Sequence, residues 1–240
     1  MSSLPRRLAA EGIGSLLLAA TVIGSGVMAE RLAAGNTAVA LLANTGATVA
    51  VLAVLIALLA PLSGAHFNPA VSVVQALRKA LPWHEAGAYA MVQIAGCCLG
   101  AVLAHAMFEL PWLQSSLHAR VGPAQWLSEV VATFGLLLVV LGCRRGEDAP
   151  WMVAAWIGAA YWFTASTSFA NPAITIARSL SDTFAGIRPH DVPQFVIAQF
   201  TGALAAYYTA QRLFSLPSVK QTADLAPRYK EGAIDAEVHN

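Results

Sequence analysis

The sequence predicts an all-α membrane protein in which six transmembrane helices and two re-entrant half-helices form an inverted repeat of three spans plus three. Three observations lead to this fold class. Of the 240 residues, 57% are hydrophobic and only 11% are charged, a composition that excludes a water-soluble domain of this size. The chain contains six apolar stretches of spanning length. The tripeptide Asn-Pro-Ala occurs twice, each time in a gap between apolar stretches.

Each apolar stretch is about 20 residues long, the length that a helix needs to cross about 30 Å of hydrocarbon. Lys and Arg are retained on the cytoplasmic side of a membrane. Of the 14 Lys and Arg residues, ten lie on the side of the two termini and four on the other side. Both termini are therefore predicted to be cytoplasmic, with the chain in a bacterial inner (plasma) membrane. The predicted spans are 8–29, 37–60, 84–108, 125–143, 151–168 and 192–214.

The second half of the chain repeats the features of the first half in the same order. Glu11 and Glu129 lie in the first span of each half, an Asn-Pro-Ala motif follows the second span, and Gln93 and Gln199 lie in the third. Because each half has three spans, the second half enters the membrane from the opposite face and the repeat is inverted. Repeat one covers about residues 8–108 and repeat two about 125–214, within one domain of residues 1–214 that precedes a polar cytoplasmic tail, 215–240.

Each Asn-Pro-Ala motif is predicted to begin a helix that crosses only half of the membrane. Asn is a good N-cap, and Pro suits the first helical turn because its missing N–H is not needed there. The apolar runs that follow, 71–77 and 174–180, are too short to span the bilayer. Two helix N-termini would meet near the midplane and disfavour cations and protons there, which is typical of a pore. The motif residues are Asn68, Pro69, Ala70, Asn171, Pro172 and Ala173.

The segment 63–72, the second Asn-Pro-Ala motif and the paired glutamates resemble the aquaporin and glycerol-facilitator family of channels. The resemblance covers about residues 8–214. It implies a passive channel for small uncharged solutes, such as glycerol, urea and metalloid hydroxides like arsenite, and for water. It also implies a homotetramer in the lipid bilayer with one pore in each subunit. The sequence contains no enzyme motif, and its net charge of +1 gives no reason to expect a nucleic-acid partner.

The same resemblance implies a selectivity filter that lies outward of the two motif asparagines. Most family members have Arg directly after the second Asn-Pro-Ala, whereas this chain has Ile174. Loss of a guanidinium removes a positive charge and five hydrogen-bond donors, so the filter is predicted to be wide and apolar and to pass solutes larger than water. The four predicted filter residues are Thr48, Ala159, Ser168 and Ile174.

Two further residues have alternative interpretations at this point. Arg178 lies four residues beyond Ile174, where it can replace the missing charge in the outer vestibule. Alternatively, it reaches the surface or pairs with Asp182. His66 is predicted to line the cytoplasmic side of the pore, with a pH gate as the alternative. The other histidines lack metal-ligand spacing, so neither a metal nor a cofactor is predicted.

Glu11 and Glu129 lie inside predicted spans, where an ionisable side chain suggests function. The family resemblance implies that each carboxylate supports one re-entrant loop by accepting hydrogen bonds from its backbone. The alternative is a proton-coupled secondary transporter, which also uses inverted repeats and broken helices, with one of these glutamates as the coupling site. A structural or adhesive role without an open pore is a third possibility.

Overall fold

The computed structural model describes residues 2–143 and 145–214, and the predicted tail, 215–240, lies outside them. Within this part of the chain the secondary structure consists of eight α-helices and one short 3-10 helix, Pro189–Asp191, without strands. The first four helices are α1 Leu4–Leu32, α2 Thr37–Ser63, α3 Pro69–Leu77 and α4 Trp83–Met107. The second four are α5 Pro123–Gly142, α6 Ala149–Phe163, α7 Pro172–Arg178 and α8 Val192–Leu213.

The two sets of four helices have the same arrangement. In the first, α1 packs against α2 and α4, and the short helix α3 packs against α4. In the second, α5 packs against α6 and α8, and the short helix α7 packs against α8. The helices α2 and α6 join the halves along their length, and α3 contacts α7. The predicted architecture of six long helices and two half-helices is confirmed.

Four helices, α1, α2, α4 and α5, are long and apolar enough to cross a membrane by themselves. The helix α6 has only 15 residues and ends before the predicted span 151–168 does. The chain leaves the helix at Thr164, which has an extended backbone. Beyond it, Thr167, Ser168 and Ala170 have positive φ angles of 60°, 51° and 48°. These residues form the irregular segment that leads into α7, so they cannot extend α6.

Two glycines allow the helices within each half to approach closely. A Cβ on Gly96 would overlap the carbonyl oxygen of Gly12, and a Cβ on Gly202 would overlap the carbonyl oxygen of Val130. Gly12 and Val130 directly follow Glu11 and Glu129 in the sequence. The close contact therefore positions each buried glutamate against the helix that closes its half.

Candidate functional site

Glu11 is completely buried and accepts hydrogen bonds from four donors. The Ser63 hydroxyl donates to it at 2.7 Å and the Gln93 side-chain amide at 2.8 Å. The backbone N–H groups of His66 and Phe67, just before the first Asn-Pro-Ala motif, donate at 2.9 and 2.7 Å. The two oxygens of a carboxylate offer about four acceptor positions, so this set of donors fills them and fixes the loop before α3.

Glu129 has the equivalent surroundings in the second half, and it is also completely buried. The Ser166 hydroxyl and the Gln199 amide each donate to it at 2.6 Å. The backbone N–H groups of Phe169 and Ala170 donate at 2.9 Å each. The two glutamates thus contact the same kinds of group, and the serine and backbone donors lie at the same distance along the chain from each motif.

The asparagines of the two motifs cap the half-helices, as the sequence predicts. Asn68 Oδ1 accepts from the Ala70 N–H at 2.9 Å, and Asn171 Oδ1 accepts from the Ala173 N–H at 2.9 Å. Both asparagines have extended backbones and are followed by proline at the helix start. Each half-helix therefore begins at its motif.

The side-chain amides of the same asparagines connect the two halves. Asn68 Nδ2 donates to the carbonyl of Ala170 at 2.8 Å, and Asn171 Nδ2 donates to the carbonyl of Phe67 at 2.8 Å. Each acceptor is the residue directly before the other asparagine. The structure thus joins two helix N-termini at one point.

A cavity of about 140 Å³ passes this point and is lined by residues of both halves. Asn68 and Asn171 both line it. Gln75 lines it near the end of α3, and Arg178 lines it at the end of α7. Because the halves are inverted, these residues mark opposite ends of the cavity, which we name the Gln75 end and the Arg178 end. The Arg178 end is the one predicted to face outward.

Three of the four predicted filter residues, Thr48, Ser168 and Ile174, line the cavity. Ala159 does not, because it is exposed on the outer surface of α6. Tyr161 lines the cavity instead, and its hydroxyl lies 3.3 Å from the Thr48 hydroxyl. Ala159 and Tyr161 are two positions apart in α6, so their side chains point in directions that differ by about 200°. The side of α6 that bears Ala159 therefore faces away from the cavity. At this place the cavity is therefore lined by Tyr161, a larger and polar residue, and not by Ala159.

Arg178 neither reaches the surface nor pairs with Asp182. Its side chain is only 3% exposed, and its guanidinium carbon lies 3.4 Å from the ring centre of Phe169. Its Nε donates to the carbonyl of Ala185. The carboxylate of Asp182 instead accepts from the backbone N–H of Leu117 at 2.8 Å. Of the two interpretations, the geometry favours a position in the vestibule.

A second arginine, Arg120, lies beside this site and was not predicted from the sequence. Its guanidinium donates to the carbonyls of Gly186 at 2.8 Å and Ser166 at 3.1 Å. Its guanidinium carbon lies 4.8 Å from the ring centre of Phe169, so both arginines stack on one aromatic ring. Arg120 comes from the loop between α4 and α5, and no local pattern in that loop signals the contact.

His66 lines the cavity, as predicted. Its Nδ1 lies 3.1 Å from the Ser72 hydroxyl, and its ring centre lies 5.3 Å from that of Tyr89. Its backbone N–H donates to Glu11. The imidazole is thus fixed by contacts within its own half of the molecule.

Two half-helices that meet at capped asparagines, between six longer helices, define a membrane channel. The protein family described as Major intrinsic protein matches residues 1–165 of this chain. The chain belongs to the major intrinsic protein family, whose members are channels and not enzymes, and it is an integral membrane protein.

Several relatives and a solved structure are similar to the chain. It is 54% identical over 224 residues to the aquaglyceroporin AqpS of Rhizobium meliloti, an alignment that covers 92% of this chain and 96% of the relative. It is 30% identical to the aquaporin AqpM of Methanothermobacter marburgensis, over 90% of this chain and 100% of that one. The crystal structure of the aquaglyceroporin from Plasmodium falciparum shares the fold, with a TM-score of 0.67 and 19% identity over 88% of this chain and 97% of that chain.

Proposed function

We propose that this protein is a passive channel that conducts glycerol and water, and that it also admits urea and undissociated metalloid hydroxides such as arsenous acid. The observation that carries the proposal is the composition of the filter wall. The hydroxyl-bearing residues Thr48, Tyr161 and Ser168 line the cavity together with the apolar residue Ile174. A polyol presents hydroxyls on one side and carbon atoms on the other, so such a wall matches it. The name of the Rhizobium relative, an aquaglyceroporin, supports the same solute class.

The remaining site residues have roles that follow from their contacts. The motif residues 68–70 and 171–173 form the central constriction, where helix N-termini and two amide groups favour solutes with lone pairs over cations. Arg178 supplies positive charge one turn beyond Ile174, and His66 offers a hydrogen-bonding edge to a passing solute. Glu11 and Glu129 hold the loops that carry these residues, and neither acts on the solute.

A proton-coupled transporter would need one of these glutamates to exchange protons with the pathway. Each carboxylate instead accepts four hydrogen bonds from the protein. Neither residue lines the cavity of the described part of the chain. Passive conduction is therefore the function that these contacts support.

We further propose that the channel lies in the inner membrane with both termini cytoplasmic and that it assembles as a homotetramer. The orientation follows from the distribution of Lys and Arg between the two sides. The tetramer follows from family membership. Accessibility of a cysteine placed at Ser2 to an impermeant thiol reagent tests the orientation, and the mass of the protein–detergent complex tests the tetramer.

Stopped-flow light scattering on reconstituted vesicles tests the solute class. We expect the wild type to conduct water, glycerol, urea and arsenous acid above the rate of protein-free vesicles. Ile174→Arg adds a guanidinium to the filter and should lower glycerol flux about tenfold, which corresponds to about 1.4 kcal/mol, while water flux persists. Ala159→Leu, on the exposed side of α6, is the matched control and should change neither flux. Water flux without any solute flux in the wild type contradicts the proposal.

A further inference from the structure

We propose that the Arg178 end of the cavity is a binding site for a small monovalent oxyanion, such as a carboxylate, and that an anion bound there blocks the passage of neutral solutes. The Arg178 guanidinium and the Ser168 hydroxyl are the groups that hold it. The site goes beyond conduction of neutral solutes, and its binding can be measured without any flux.

The guanidinium of Arg178 is fixed in place but incompletely hydrogen-bonded. One face lies against Phe169, at 3.4 Å from the ring centre, and Nε donates to the Ala185 carbonyl. Within residues 2–143 and 145–214, neither terminal nitrogen donates to a protein acceptor. The residue lines the cavity. Two parallel N–H groups on a planar fork are the arrangement that binds a carboxylate or nitrate through two oxygens.

Ser168 supplies a second, independent donor at the same end of the cavity. The residue is only 2% exposed, and it lines the cavity. Its hydroxyl has no hydrogen-bond partner among the residues that the structure describes. Its backbone N–H donates to the Ser166 hydroxyl at 3.2 Å, which fixes its position. The hydroxyl oxygen itself is shielded from solvent, and a buried hydroxyl without a partner costs free energy. Rotation about the Cα–Cβ bond towards an anion oxygen in the cavity would satisfy it.

The charge balance at this end also favours an anion. Arg120 bonds to backbone carbonyls and not to a carboxylate, so the second guanidinium on Phe169 adds to the positive potential. In the described part of the chain, no carboxylate lies within 4 Å of either guanidinium. The neighbouring carboxylate of Asp191 accepts from the side chain of Arg188 at 3.1 Å. Buried charge without a partner is costly, and a monovalent anion would offset that cost.

Formate is a suitable probe because it is planar, small and fully ionised at neutral pH. Its single carbon-bound proton allows weak binding to be followed by saturation-transfer NMR on the purified protein in detergent. We expect a saturable formate signal that falls when nitrate is added and does not fall when gluconate, a larger anion, is added. In vesicles, external nitrate should slow glycerol or water flux relative to gluconate at equal osmolality and ionic strength.

Two variants and a control assign the signal to this site. Arg178→Met should lower the formate signal at least about fivefold, since the charged fork is lost. Ser168→Ala keeps the charge and should weaken binding about two- to threefold. Arg31→Met is the matched control, because Arg31 also stacks on a phenylalanine ring and donates to a carbonyl but is exposed; it should leave the signal unchanged.

The outcomes separate this site from the proposed function. If the wild type gives no saturable signal, or if Arg178→Met and Ser168→Ala both retain the wild-type signal, the anion site does not exist. If formate binds as expected but glycerol does not cross the vesicle membrane, only the proposed function fails.

Discussion

The two halves of the molecule differ in the residues that line the cavity. They do not differ in their supports, by which we mean the hydrogen bonds that hold each re-entrant loop and half-helix. Gln93 donates to the Ser72 hydroxyl at 3.0 Å, and Gln199 donates to the Thr175 hydroxyl at 2.8 Å. Ser72 and Thr175 each lie four residues after the motif asparagine of their half. Together with the buried glutamates, these pairs repeat the same hydrogen-bonded framework in both halves.

The residues that face the solute are different. Seven residues after the motif asparagine, one half has the neutral Gln75 and the other has Arg178. Two residues before it, one half has the polar His66 and the other has Phe169. One end of the cavity is therefore neutral and hydrogen-bonding, and the other carries a cation on an aromatic ring. A duplicated scaffold can thus hold two unlike ends, because the buried glutamates bind the backbone N–H groups of His66 and Phe169 and not their side chains.

The equivalence of the supports is tested most strongly at the glutamates. Glu11→Leu and Glu129→Leu each leave four buried donors without an acceptor, which should cost about 3–5 kcal/mol and abolish solute flux. Thermal unfolding in detergent, read together with glycerol flux, measures both effects. Glu30→Leu, at an exposed position, is the control and should change neither. A large loss of stability from one substitution with a small loss from the other would show that the supports are not equivalent.

Substitution of the glycines at the close helix contacts should lower the free energy of unfolding by a smaller amount, which is again equal in both halves. Gly96→Ala and Gly202→Ala each place a methyl group against a backbone carbonyl, an overlap that should cost about 1–3 kcal/mol. Both variants should have a lower thermal midpoint than the wild type. Gly87→Ala is the control. Gly87 lies in the same helix as Gly96, but a Cβ added there would meet no close atom, so this substitution should not lower the midpoint. If Gly96→Ala behaves like Gly87→Ala, the close approach of α1 and α4 does not exist in solution.

The smallest expected effect concerns Asp191, at the Arg178 side of the molecule. Burial alone would raise the pKa of this carboxylate, but hydrogen bonds from the Arg188 side chain and the Arg120 backbone N–H lower it below its ordinary value. The stabilisation is therefore present above the pKa of an unfolded aspartate, about 3.9, and is lost as the pH falls through the lower folded pKa.

The thermal midpoint of the wild type should thus fall between about pH 5 and pH 3 more steeply than that of Asp191→Asn. The thermal midpoints of the two proteins, measured at successive pH values from pH 7 downward, test this expectation. Glu109→Gln, in the loop between α4 and α5, is the control and should follow the wild type. Parallel profiles for the wild type and Asp191→Asn would mean that this ion pair contributes nothing.

The repeated features were predictable because their signals are local. Capping asparagine, proline in the first turn and a short apolar run define each half-helix within ten residues, and Glu11 and Glu129 stand out as charges in apolar spans. The side of α6 that faces the cavity was not predicted correctly from the family resemblance, which implied Ala159. The stripe Val153, Ile157 and Tyr161, at four-residue spacing, carries that information, whereas Ala159 lies off it.

The arginine site could not be obtained from the sequence. Arg120 is separated from Phe169 by 49 positions and from Arg178 by 58. Its contacts are to backbone carbonyls, which every residue type offers, so no side-chain pattern marks them. Only the folded loop brings the two guanidinium groups to one ring.

The exchange of hydrogen bonds between Asn68 and Asn171 has a consequence for the origin of such a chain. Each asparagine amide binds the backbone of the other half, so an isolated half would leave its own amide and the matching carbonyl unsatisfied. Within protein, a half expressed alone could satisfy them by pairing head to head with an inverted copy of itself. That pair would have two identical mouths. Fusion of the halves into one polypeptide is what allowed the two mouths to become different.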